Sequence, residues 1–118
     1  MILSTFLLSQ IIQGEASSLG SIGMMAVALS LSCRIWQYDH DEAQIAREWY
    51  GRAEPGPTAT LLADLVVDHK LPENDYYWCM GHGPDYVAQN MRRGDFVLMD
   101  HDNKMGIHLY YKKNVPWE

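Results

Sequence analysis

The chain has 118 residues, with 9 Lys and Arg against 15 Asp and Glu and a formal net charge of −6. That length fits one domain, residues 1–118, whose core needs no disulfide or metal staple, and a 47% hydrophobic, 20% charged composition argues against disorder. The acidity argues against sequence-independent nucleic-acid binding, which needs a basic face, and it gives no steering toward an anionic wall or membrane.

The charge is unevenly spread. Residues 1–38 hold only Glu15 and Arg34 as charged side chains, so the first third reads as interior with one carboxylate inside it. No Lys or Arg precedes Arg34, which argues against a signal peptide. Residues 16–33 are uncharged for long enough to raise a membrane span. Ser17, Ser18, Gly20, Ser21, Gly23, Ser30 and Ser32 dilute the stretch, and a buried core helix is expected instead.

Residues 2–14 predict a first helix, with Leu3, Leu7, Leu8, Ile11 and Ile12 on one stripe. Glu15 continues that stripe, while Gly14 loosens the last turn. Ser17, Ser18 or Ser21 is expected to cap a second helix at about 20–36. Its many small side chains, among them Gly23, Ala26, Ala28 and Ser30, suit a central helix that neighbours approach closely. A third helix is expected at about 41–52, a breaker at Glu54-Pro55-Gly56-Pro57, and a fourth helix at about 58–69 capped by Thr58. Tyr76 to Met80 reads as a strand, Gly81 to Pro84 as a loop, and 84–92 as a short helix ended by Gly94. Phe96–Met99 and Ile107–Tyr111 then predict a β-hairpin. The class is α+β, with N-terminal helices packed on a small C-terminal antiparallel sheet.

Three groups of residues invite chemistry. A carboxyl at the end of an apolar helix is expected to be desolvated, which disfavours its charged form and suits a general acid. Glu15 is that residue. Alternatively, it caps the second helix or pairs with Arg34. A second carboxylate roughly 5–10 Å away would serve a glycosidase, and Asp39, Asp41, Asp75 and Asp85 are all open candidates. Two Asp-His-Asp triplets, 39–41 and 100–102, have metal-ligand chemistry, but a helix start and a hairpin tip explain them; no metal and no cofactor is expected. Tyr76, Tyr77, Trp78, His82, Tyr86, His108 and Tyr110 offer aromatic faces and polar edges that suit sugar rings. Strand alternation puts Ile107, Leu109 and Tyr111 on one face and His108 and Tyr110 on the other, so the latter two are the expected cleft pair. Cys33 and Cys79 read as buried, inert thiols.

Gln13-Gly14-Glu15-Ala16-Ser17-Ser18, followed by Gly20, Gly23, Ala26-Val27-Ala28 and Arg34, resembles the opening motif of the SleB-like cell wall hydrolases, which include spore cortex-lytic and phage-encoded enzymes. Tyr76-Tyr77-Trp78, Gly81-His82, Pro84-Asp85-Tyr86 and Gly106-Ile107-His108-Leu109-Tyr110-Tyr111 resemble its later landmarks, in order. The resemblance implies a lysozyme-like fold and cleavage of peptidoglycan glycan strands, as a lytic transglycosylase or a muramidase or glucosaminidase. Glu15 stands at the family's catalytic position. The chain departs from the motif at Cys33, where Asn is usual, and at Tyr86, where Trp is usual, and it lacks a Gln-Phe segment. Those departures motivate an alternative, a non-catalytic carbohydrate-binding or phage structural protein on the same scaffold. A phage-encoded monomer made in the host cytoplasm and acting on the wall is the expected context.

Overall fold

The computed structural model describes residues 3–16, 18–93, 95–99, 102 and 104–115. Ser17, Gly94, Asp100, His101 and Asn103, which belong to an expected cap, a helix end and the hairpin tip, lie outside them.

Helix α1 spans Thr5–Ala16. Ser4 starts it by accepting the Leu7 N–H on Oγ at 3.1 Å. The helix runs through Gly14 rather than loosening there. Leu8, Ile11, Ile12 and Ala16 are wholly buried, as the apolar stripe predicts.

A tight turn, in which the Leu19 N–H donates to the Ala16 carbonyl at 3.0 Å, leads into α2, Gly20–Ser32. No serine caps α2. Leu19 occupies the cap position without a side-chain bond, and Gly20 begins the helix at φ 67°, a conformation glycine tolerates. Beyond Ser32 the chain widens into a π turn, Cys33–Gln37, where a single α-helix to residue 36 was expected. The turn keeps Arg34 and Ile35 buried while Trp36 reaches the surface.

Helix α3 covers only Glu42–Glu48, capped by Asp41, whose side chain accepts the Gln44 N–H at 2.8 Å. It stops at Trp49, whose φ −114°, ψ 108° is extended. Helix α4, Pro57–Val67, begins on Gly56 with Pro57 in the first turn, so Thr58 is not its cap. It ends at His69, φ 55°, where the Lys70 N–H reaches back to the Leu65 carbonyl at 2.9 Å.

Strand β1, Tyr76–His82, takes in Gly81 and His82, which the sequence suggests as loop. Helix α5 is Pro84–Asn90. Strands β2, Phe96–Met99, and β3, Gly106–Tyr111, form the expected antiparallel hairpin. The sheet order is β1-β3-β2, and a bulge interrupts β1 between Tyr76 and Trp78.

The protein is thus an α+β domain. Helices α1, α2 and α4 pack together around Leu8, Ile12, Leu31, Leu62 and Val66. The other side of α2 meets the sheet through Ala26, Ile107 and Leu109. Helix α2 therefore is the central element that its small side chains imply. Among the described residues no helix is long and apolar enough to cross a membrane.

Candidate active site

The tripeptide Gln13-Gly14-Glu15 binds the end of α1 to the segment 51–56. The Gln13 side-chain oxygen accepts the Gly56 N–H at 3.0 Å, and Glu15 Oε1 accepts the Gly51 N–H at 2.7 Å. One turn earlier, the Gln10 carbonyl accepts the Ala53 N–H at 3.2 Å. Gly14 lets the two backbones touch. A Cβ there would lie 2.3 Å from the Arg52 nitrogen and 2.5 Å from the Gly51 carbonyl carbon. A Cβ on Gly51 would lie 2.8 Å from the Glu15 nitrogen and 3.0 Å from its carboxyl carbon. Two glycines at the crossing thus bring a backbone donor onto the carboxylate.

Glu15 lines two adjoining hollows. The larger, about 610 Å³, is also lined by Arg34, Glu48, Trp49, Tyr50 and Tyr77. The smaller, about 280 Å³, is apolar, with Leu19, Gly23, Val27, Met80 and Ile107 in its wall. Glu15, Trp49, Trp78 and Cys79 belong to both, so the carboxylate stands where the two halves of one groove meet.

Arg34 organises the larger half. It is buried, donates from Nε to the Tyr77 carbonyl at 2.8 Å and from Nη1 to Glu48 Oε2 at 2.8 Å. Its guanidinium lies 4.3 Å from the Tyr77 ring centre and 5.0 Å from that of Trp49, within cation–π range. Among the described residues neither alternative role of Glu15 is realised: Arg34 pairs with Glu48, and the α2 cap residue, Leu19, makes no side-chain cap bond. His40 sits behind the pair, 3.5 Å from Glu48 and 3.3 Å from the Tyr77 hydroxyl, and burial lowers its pKa.

The expected sugar-binding residues divide. Tyr77 and Trp78 line the groove with Glu15. Tyr76 does not; it packs toward Phe96 and Tyr111, each with ring centres 6.0 Å away. His82 and Tyr86 lie ring against ring, tilted by 35° with centres 3.9 Å apart, and are outside both hollows. His108 and Tyr110 are 0% and 5% exposed and do not form the wall of the groove. The two rings do share one face of β3, as strand alternation predicts, but α5 and the segment before β2 cover that face. The His108 Nε2 lies 2.8 Å from Asp95, and the stack Trp78–Tyr110–His108 runs from groove to interior with centre spacings of 4.8 and 3.7 Å. Asp95 also accepts from the backbone of Arg92 and Tyr111 and from Asn114. Burial alone would raise its pKa; these donors outweigh it and lower the pKa.

No protein-family model, curated protein or solved structure matches the chain.

None of the four candidate second carboxylates lines the groove. Asp41 caps α3, Asp75 accepts the Tyr38 hydroxyl, Asp39 and Asp85 are exposed. Glu48 is the second groove carboxylate, and Arg34 compensates its charge. Among the described residues no group of three His, Cys, Asp or Glu side chains can hold a metal. The groove therefore offers a carboxyl group held by one N–H, aromatic side chains, and a neutralised ion pair. Trp49, Tyr50 and Gly51 are not legible as groove residues in the sequence, because the pattern predicts a helix over 41–52 that runs through them, whereas α3 ends at Glu48. A Gly directly after two aromatics was the one signal that the helix stops early.

Proposed function

We propose that this chain is a lysozyme-like enzyme that cleaves the glycan strand of peptidoglycan, with Glu15 as general acid and then base. The observation that carries this reading is the place of Glu15, at the meeting point of two groove halves and held on one oxygen by the Gly51 N–H. A sugar chain laid along such a groove would span the carboxyl group with a ring on either side. Trp78, half-buried in the wall of both halves, offers an aromatic surface to those rings, and the polar groups around Arg34 offer partners for hydroxyls.

In the proposed reaction the Glu15 carboxyl gives its proton to the glycosidic oxygen as the bond from that oxygen to the anomeric carbon breaks. The resulting carboxylate then takes the proton of a hydroxyl on the same sugar. That hydroxyl oxygen bonds to the anomeric carbon and leaves an anhydro end. Such a route uses one carboxyl group in both roles. The ion pair of Glu48 with Arg34, which occupies the other groove carboxylate, supports a single-acid mechanism over one with a free second nucleophile.

The test is loss of turbidity of purified peptidoglycan treated with wild type and with Glu15→Gln. Clearing by wild type and not by the variant is expected. Equal clearing by both removes Glu15 from the mechanism, and clearing by neither removes the enzymatic reading.

A further inference from the structure

We propose that Tyr50 is a substrate-binding platform on which one sugar ring of a β-linked amino-sugar strand stacks. The proposal rests on the reading of the groove as a glycan site and adds a contact that reading did not contain. Tyr50 is 84% exposed yet forms part of the wall of the larger groove half with Glu15. No hydrogen bond or ring contact holds its side chain among the described residues. Single exposed apolar side chains are ordinary on a protein surface, and Phe6 and Leu61 are exposed as well; what sets Tyr50 apart from them is its place in the groove wall beside Glu15.

Its backbone, by contrast, is pinned on both sides. Trp49, 7% exposed, packs beneath Arg34. Gly51 is fastened to Glu15 through its N–H. Arg52 clamps the whole lip, donating from Nη1 to the carbonyls of Trp49 at 2.5 Å and Gly51 at 2.8 Å and from Nη2 to that of Ala46 at 3.2 Å. A ligand that stacks on Tyr50 therefore meets a ring whose anchor point is already ordered, and loses little to backbone ordering. The ligand class follows from the surroundings. A flat apolar face beside Glu15, Glu48 and Arg34 suits a ring with an apolar face and hydroxyl or amide edges, which describes an amino sugar. Tyr50 and Glu15 line the same half of the groove, so a strand bound there can meet both.

The experiment is calorimetric titration of soluble, peptide-free peptidoglycan strands into Glu15→Gln, which holds the strand uncleaved, and into Glu15→Gln carrying Tyr50→Ala or Tyr50→Trp. Loss of the platform is expected to weaken binding roughly three- to tenfold, with Tyr50→Trp restoring it. Because Tyr50 is exposed and belongs to none of the buried clusters, the melting temperature of Tyr50→Ala should stay within about 2 °C of its parent, which separates lost binding from lost folding. Equal affinity of the parent and Tyr50→Ala overturns the platform alone. No binding by the parent overturns the glycan reading of the groove, and the platform with it.

Discussion

Gly14→Ala is the most revealing single change, because two effects of opposite sign compete in it. Gly14 lies inside α1, and replacing a helical glycine by alanine ordinarily stabilises by about 0.5–1 kcal/mol. Here the new Cβ would stand 2.3, 2.5 and 2.7 Å from three backbone atoms of Gly51 and Arg52. Ordinary contact needs about 3.4–4 Å, so the lip must retreat by about an ångström. Backbone cannot swing aside as a flexible side chain can. Overpacking of this kind costs about 1–3 kcal/mol. The retreat also strains the bonds from Gly51 to Glu15 and from Ala53 to Gln10, each worth about 1 kcal/mol or somewhat more for the charged acceptor. The steric and hydrogen-bond losses exceed the helix gain, and a net destabilisation of about 2–3 kcal/mol follows. For a chain of this length that is a drop in melting temperature of roughly 8–12 °C. Thermal unfolding followed by circular dichroism measures it. A melting temperature equal to or above that of wild type would refute the close crossing, since only the helix-propensity effect would then remain.

Three further outcomes follow from other parts of the molecule. Asp95→Ala leaves the buried His108, two backbone N–H groups and Asn114 without their acceptor, and should cost about 3–5 kcal/mol in urea denaturation; a loss below about 1 kcal/mol would contradict that network. Burial lowers the pKa of both His40 and His82, so the unfolded chain binds more protons than the folded one just below the ordinary histidine value. Stability should be at its full value above about pH 6.5 and fall as the pH drops toward the folded values; His40→Gln should flatten part of that fall, and an unchanged urea midpoint from pH 7.5 to 5.5 would refute it. Burial pushes the Cys33 and Cys79 thiols up to about 12 and about 11, so neither should be alkylated at an exposed-thiol rate at pH 8 until the protein is unfolded; rapid labelling of Cys79 in the native protein would show its site to be more open than described.

Local patterns carried the fold a long way. The stripe of Leu8, Ile11 and Ile12, the small side chains of α2 and the alternation in β3 each follow from a spacing of a few residues. Glu15 stood out for the same reason, as one charge in an apolar third of the chain. What stayed hidden depends on contacts between distant segments. The end of α3 at Glu48 is one case, because Trp49 and Tyr50 continue a helical pattern and only the Gly14–Gly51 crossing and the Arg52 clamp turn them into a lip. The π turn at Cys33–Gln37 is another, since nothing in Arg34-Ile35-Trp36 announces a wider turn, and Arg34 finds Tyr77 and Glu48 only in the folded chain. His108 and Tyr110 show the limit of alternation. It assigns two residues to one face, but it does not say whether a groove or a helix covers that face.

The central claim is that Glu15 breaks a glycosidic bond, and product analysis tests it most directly. Purified peptidoglycan is digested with wild type and with Glu15→Gln, and the soluble fragments are resolved by mass spectrometry. The account predicts fragments with anhydro ends from wild type and none from the variant. New ends in equal amount from both proteins, or none from wild type, would contradict it.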